Sequence, residues 1–373
     1  MAEMLKYQHH MYREILETPG AVRDTLAGRV SAEGVDLSEA SLDVEKLRRL
    51  TQINILASGT SRHAGLAGKI MLQELAGVHT DVDYASEFAY ANPATSSHEL
   101  TILITQSGET ADTLAAQAVA ASMGSHTLAI CNVPDATLAR RADFVLYTRA
   151  GTELAIASTK AFTAQMALLF AFSVYLGKLR GRLSADVARQ RANELLAIPE
   201  KLDRVLQCNE ACEQIAEKYF IAPDFLFLGR SVHFPVALDG ALKLKETSYI
   251  HAEGYPSGEL KHGPYALIDS MMPIVFLAGC DNNDESSMTR YKLTLQNMRD
   301  VRKRMGRVIA IAIEGDHEVA EVTNDVIFIP SATELLLPLL EIVPLQLLAY
   351  HVALRRGVDV DNPRNLVKSV TVE

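Results

Sequence analysis

Residues 53–61 read INILASGTS and residues 100–110 read LTILITQSGET. Each is a short, mainly apolar run that stops in a turn rich in hydroxyls and glycine. Runs of this kind mark strands buried on both faces, the pattern of a parallel sheet. Working outward, further strands are expected at 80–84, 127–131 and 144–147, with helices over 62–75, 110–123 and 160–179 between them. Strands alternating with helices predict an α/β domain whose parallel sheet is covered on both sides.

The same alternation returns further along. Strands are expected at 225–228, 274–278, 308–313 and 326–329, and helices at 234–249, 286–305 and 335–355. Gly59 follows the first strand of one half and Gly229 that of the other, 170 residues later. A repeat of that length means paired domains, because solenoid units run to about 20–50 residues. The expected fold is therefore α/β, two doubly wound domains related by duplication, with helices before them and a tail behind. The boundaries read as a helical segment at 1–48, a first domain at 49–183, a helical linker pair at 184–217, a second domain at 218–358 and a tail at 359–373. Within the first segment, helical runs over 7–17 and 21–29 are separated by Thr18-Pro19-Gly20.

Composition narrows the function. The chain has 373 residues, of which 48 % are hydrophobic, enough for two cores. Its net charge of −10 argues against a nucleic-acid footprint and against an anionic membrane, while leaving room for a local cationic pocket. No run of about 18 uncharged apolar residues appears, and 164–176 reads as a buried helix. The first six residues lack the basic and apolar regions of a secretory signal. Four scattered cysteines make no disulfide framework, and Cys208 and Cys212 stand alone on a helix, so no metal site or cofactor is expected. A cytoplasmic enzyme or binding protein remains.

Two turns carry an anion-binding character: Ala57-Ser58-Gly59-Thr60-Ser61 and Thr105-Gln106-Ser107-Gly108-Glu109-Thr110. Both lead from a strand into a helix, where free N–H groups and the helix dipole favour negative charge. One such turn alone reads equally as an ordinary N-cap. Two in one domain, with Ser158-Thr159 opening a third helix, favour a small phosphorylated ligand. There is no Walker lysine and no Gly-x-Gly-x-x-Gly, so a nucleotide is not indicated. The second half offers Gly229-Arg230-Ser231-Val232 and the acidic Gly279-Cys280-Asp281-Asn282-Asn283-Asp284 instead, which predicts that it has taken another role.

Residues 240–264, GALKLKETSYIHAEGYPSGELKHGP, hold the densest proton chemistry. Lys243 and Glu246 share a helix face, and Glu259, Lys261 and His262 follow in a glycine-punctuated loop. A carboxylate, an imidazole and an amine are the parts needed to open a sugar ring and move a proton between adjacent carbons. The plainer alternatives are a surface ion pair for Lys243 and Glu246 and a turn cap for His262. His251 and His351 read as packing residues, and His9 and His10 are set aside. In the tail, Pro363, Leu366, Val367 and Val370 predict docking against the protein. A lysine held there by desolvation would attack a ketone as the neutral amine.

With these residues assembled, the chain resembles the isomerase half of the glutamine–fructose-6-phosphate aminotransferase family, a pair of sugar-isomerase (SIS) domains. The likeness runs from Tyr12-Arg13-Glu14-Ile15 through SGTS, TQSGETADTL, AICNVP, ASTKAFTAQ, GALKLKE, YIHAEG, GELKHGP and PLQLLAYHVAL to KSVTVE. GELKHGP and PRNLVKSVTVE are its most specific motifs. The resemblance implies that Thr60, Ser61, Thr105, Gln106, Ser107 and Thr110 hold the phosphate and nearby hydroxyls, with Ala157 and Ser158 lining the sugar. It further implies Glu246 as the base between C1 and C2, and His262 as the ring opener reaching into the neighbouring subunit. Lys368 would form the Schiff base and Lys243 would stabilise charge on oxygen.

Three departures accompany the likeness. Ser58 stands where the family commonly has Cys, Thr105 where it commonly has Ser, and nothing corresponds to the glutaminase domain. The chain alone is not expected to hydrolyse glutamine; a separate glutaminase domain or free ammonia would supply nitrogen. The expected activity is a ketose–aldose isomerase/aminotransferase working on fructose 6-phosphate, in a homodimer with a shared active site. Competing readings are a glucosamine-6-phosphate deaminase on the same domains and a non-catalytic sugar-phosphate-binding regulator. The retained Glu246, His262 and Lys368, and the lack of a basic arm, speak against the regulator.

Overall fold

The computed structural model describes residues 9–91, 93 and 96–371. The helical run expected over 7–17 therefore starts outside the described residues and is seen as His10–Leu16; Val372 and Glu373 also lie outside. Two compact units form, each from three stretches of chain. Among the described residues, the amino-terminal lobe takes 20–153, 160–199 and 367–371; the carboxy-terminal lobe takes 9–19, 154–159 and 200–366.

In the amino-terminal lobe a short antiparallel hairpin, β1 (Val30–Ser31) and β2 (Gly34–Val35), precedes five parallel strands. These are β3 (Gln52–Ala57), β4 (His79–Tyr84), β5 (Glu99–Ile104), β6 (His126–Cys131) and β7 (Phe144–Tyr147), ordered β4-β3-β5-β6-β7. The three central strands are buried along nearly their whole length, hence their continuous apolar reading. Successive side chains point to opposite faces. Leu56, Leu103 and Ala129 meet Leu114, Ala116 and Ala120 of helix Ala111–Ser122. Helix Gly59–Met71 packs beside helix Lys160–Leu179, and Gly68 allows the approach, since a Cβ there would lie 2.8 Å from Leu169 Cδ1.

The carboxy-terminal lobe repeats the plan. Its parallel strands are β8 (Asp224–Gly229), β9 (His251–Pro256), β10 (Pro273–Ala278), β11 (Arg307–Ile313) and β12 (Val326–Ile329), ordered β12-β11-β10-β8-β9. Helix Glu285–Lys303 covers one face through Tyr291, Leu295, Met298 and Val301. Counted within each sheet, the order is second-first-third-fourth-fifth in both lobes. The fold class read from the sequence, two duplicated doubly wound α/β domains, is the one observed.

Three local readings change, and the buried helix expected at 164–176 stands. The first helix does end before Thr18-Pro19-Gly20, but these residues open the second helix, Thr18–Leu26, instead of separating the two, because proline suits a first turn whose N–H groups have no helical partner. The β1–β2 hairpin interrupts the stretch expected to be helical. The 184–217 region holds three helices, Ala185–Leu196, Ile198–Val205 and Asn209–Tyr219, instead of two. The apolar stretch at 164–176 belongs to Lys160–Leu179, which, like Glu334–Arg355, is long and apolar enough to cross a membrane; 83 % and 100 % of the respective apolar windows are buried inside the protein.

Candidate active site

Two turns lie beyond the carboxyl ends of β3 and β5, the neighbouring strands at which the order of the amino-terminal sheet reverses. That crevice is where open α/β sheets hold ligands. Gly59 (φ 52°) turns the chain into helix Gly59–Met71, whose first turn carries Thr60 and Ser61. Ser61 Oγ accepts a hydrogen bond from Gln165 Nε2 at 3.0 Å. Past β5, Thr105 Oγ1 and Thr110 Oγ1 are 2.9 Å apart, and Ser107 Oγ accepts Glu109 N at 3.2 Å. Gly108 (φ 71°) is obligatory, because a Cβ there would collide with that of Ala136. The Gln106 carbonyl accepts Asn132 N at 3.0 Å, which fixes the turn against the loop after β6. Neither Ser58 nor Thr110 makes a side-chain cap to its helix, so the ordinary N-cap reading does not describe them.

The tail comes to this same corner. Ser369 Oγ is 3.1 Å from Ser107 Oγ, and Ala111 N, at the start of helix Ala111–Ser122, donates to Val370 O at 3.0 Å. Between these contacts and the fold sits Lys368, whose Nζ is 2.8 Å from Glu153 Oε2. Glu153 is buried, and its Oε1 accepts Ala161 N at 3.2 Å. The tail docks as expected but not by the forces expected. Pro363 is buried, yet Leu366, Val367 and Val370 are 40 %, 66 % and 63 % exposed. Hydrogen bonds and an ion pair with Glu153 hold residues 368–370, where apolar contacts were expected.

In the carboxy-terminal lobe, Lys243 and Glu246 lie on helix Phe234–Ser248, with Lys243 Nζ 2.6 Å from Glu246 Oε2. Lys243 is fully buried while Glu246 keeps partial exposure, which excludes the solvated surface pair. A buried ammonium persists only when paired. Gly240 seats this helix, since a Cβ there would lie 2.5 Å from Leu345 Cδ1 and 3.2 Å from Phe227 Cδ1. His262 follows the short helical turn Ser257–Lys261, is exposed, and donates its own N–H to Glu259 O at 2.9 Å. Ala157 and Ser158 lie in Leu154–Thr159, the stretch that groups with this lobe and not with the hydroxylated turns; Ala157 is buried and Ser158 half-buried.

His351 is a packing residue, 2.9 Å from Asn209 Oδ1, with burial lowering its pKa to about 4. His251 is not: its side chain is 65 % exposed on β9. Among the buried acids that sequence reasoning passed over are Glu153 and Asp239. Glu153 had no local signal, because only the folded tail brings Lys368 to it. Asp239 did have one, standing a helical turn before Lys243, and it is fully buried on the same helix. Among the described residues no group of His, Cys, Asp and Glu is arranged to hold a metal ion.

Paired parallel sheets, each with a switch point, define a duplicated, doubly wound α/β protein. The chain belongs to the SIS-domain family, which matches residues 46–175 and 222–356. More particularly, it is 49 % identical over 369 residues to the glutamine–fructose-6-phosphate aminotransferase (isomerizing) of Chlorobaculum tepidum, covering 98 % of this chain and 59 % of that protein. The enzyme of the same name from Methanosarcina acetivorans is 46 % identical over 100 % of this chain and 59 % of its own length. The chain thus spans about three-fifths of these relatives. It is also similar to the solved C-terminal domain of glucosamine-fructose-6-phosphate aminotransferase from Francisella tularensis, at 37 % identity, 95 % and 99 % coverage and a TM-score of 0.88. A glucosamine-6-phosphate deaminase from Thermotoga maritima shares the fold, at a TM-score of 0.72, 21 % identity, and 97 % and 100 % coverage.

Proposed function

We propose that this chain carries the isomerase and amino-transfer chemistry that turns fructose 6-phosphate and ammonia into glucosamine 6-phosphate and water. The observation that carries the reading is the tail: Ser369 and Val370 bind the hydroxylated corner beyond β5, and Lys368 is fixed beside Glu153 in the same lobe. An amine is thereby held next to a corner suited to a phosphate dianion. Thr60, Ser61, Thr105, Gln106, Ser107 and Thr110 bind that phosphate through hydroxyls, backbone N–H groups and helix N-termini. Ala157 and Ser158 line the sugar.

His262, contributed by the neighbouring subunit of a homodimer, opens the ring. Glu153 takes a proton from the Lys368 ammonium, and the resulting neutral amine adds to the C2 ketone and expels water, giving an imine. Ammonia displaces the lysine to leave a C2 ketimine. Glu246 removes a proton from C1 and returns one to C2, so that C1 becomes the aldehyde and C2 bears the amine. Lys243, buried against Glu246, offsets the negative charge on the C1 oxygen. Without ammonia the same proton shuttle yields glucose 6-phosphate. A glutaminase domain or dissolved ammonia supplies the nitrogen, and the setting is the cytoplasm.

Borohydride reduction in the presence of fructose 6-phosphate tests this directly. One sugar phosphate should be fixed to Lys368 per chain; a chain that turns the substrate over and remains unlabelled there would remove the imine from the mechanism.

A further inference from the structure

We infer that Glu334 is a resident anion, its carboxylate filling in the carboxy-terminal lobe the switch-point corner that in a ligand-binding copy of the fold receives an oxyanion. The inference stands on that lobe alone.

β8 and β10 are the neighbouring strands at which the sheet order reverses, and the chain after each of them leads to this corner. His233 closes the short turn Ser231–His233 after β8, and Ser287 and Arg290 lie in the first turns of helix Glu285–Lys303 after β10. Glu334 arrives from the loop after β12. Its carboxylate accepts the Ser287 hydroxyl, takes Arg290 Nε at 2.7 Å and stands 3.3 Å from His233 Nε2. A hydroxyl at a helix start, a guanidinium and an imidazole are the donors that a phosphate or sulfate would use. The other ring nitrogen of His233 is 2.8 Å from Glu341 Oε2. Burial by itself lowers the affinity of His233 for a proton, but Glu341 and Glu334 outweigh it and raise the pKa to about 10, so the ring is an imidazolium at neutral pH.

Charge in the cluster closes without an outside ion. Glu334 and Glu341 face His233 and Arg290, and all but Arg290 are nearly or fully buried. The helix start is satisfied from within as well: Asp284 Oδ1 accepts Ser286 N at 2.8 Å and Ser287 N at 3.3 Å, and Ser287 Oγ accepts Asp281 N at 2.9 Å. Asp284 Oδ2 also lies 3.8 Å from Arg290 Nη2. The acidic residues after β10 therefore do more than repel a ligand. With Glu334 they supply the anionic partners that the corner was built to take.

The test is inorganic phosphate binding by the full chain carrying Glu334→Ala, followed by equilibrium dialysis and by Tm, with chloride at matched ionic strength as the control. The unaltered protein sets the baseline from its other lobe. E334A should bind one more phosphate per chain, and phosphate should raise its Tm by roughly 2–4 °C more than it raises that of the unaltered protein. Adding Arg290→Met should abolish the gain. Glu334→Ser, which leaves more of the corner filled, carries the same expectation should E334A fold only when phosphate is present. Unchanged stoichiometry in both single variants overturns the inference, as does a gain that chloride reproduces or that survives R290M.

Discussion

Glu153 is the residue on which the tail depends. Its carboxylate is shared between Ala161 N, at the head of helix Lys160–Leu179, and Lys368 Nζ, so it ties a terminal segment to the longest helix of its lobe. A terminal stretch with exposed Val367 and Val370 would otherwise fray. Glu153→Gln keeps the shape and can still accept from Ala161 N, but it gives up the ion pair. Loss of near-attack placement by about 1 Å costs on the order of 10²-fold in rate. Imine trapping at Lys368 should slow by about that factor while phosphate affinity, set by the hydroxylated turns, stays as it was. Time-resolved borohydride labelling beside phosphate titration reads both. Trapping at the unaltered rate would mean that the pair does not place the amine. None of this was visible along the chain, where Glu153 and Lys368 are 215 residues apart, with the whole second domain between them. Lys368 itself came from a terminal motif, and the apolar residues around it suggested the wrong kind of docking.

At the scale of elements, burial made most strands legible, although the exposed edge strand β4 was read as well. β3, β5, β6, β8, β10 and β11 are enclosed on both faces, and their unbroken apolar runs announced them. β9 reads His-Ala-Glu-Gly-Tyr-Pro and escaped, because it is an edge strand with only Ala252 fully buried. Its place is set instead by close backbone packing on the helix that bears Lys243 and Glu246. A Cβ at Gly254 would lie 2.7 Å from Leu238 Cα and 2.8 Å from Leu238 N, and backbone cannot swing aside as a side-chain tip can. Gly254→Ala should therefore destabilise the protein by about 1–3 kcal/mol, the range for overpacking. It should also lower kcat, since helix Phe234–Ser248 must shift. Urea unfolding and steady-state rates together check it; a variant of normal stability would show that β9 has room to relax.

Over the whole molecule, duplication supplied two identical switch points, and the chain treats them oppositely. The amino-terminal one ends in hydroxyls without side-chain caps, and the carboxy-terminal one is closed by its own acids. One corner is thereby left open to an anion, and the other is occupied from within. The loop that carries His262 runs on into Leu267 and Met271, which are 55 % and 52 % exposed. If His262 serves the partner's substrate, two inactive variants should complement each other. Glu246→Gln and His262→Ala, each inactive alone as a homodimer, would on mixing give a heterodimer in which one site lacks both groups and the other lacks neither. After full subunit exchange half the dimers are mixed, so about a quarter of wild-type sites should regain activity, on twofold symmetry. Rates measured against mixing time should rise from the background to that plateau. A mixture that stays inactive although exchange is demonstrated, for instance by energy transfer between labelled subunits, would place His262 in its own chain's site and leave the dimer without a catalytic role.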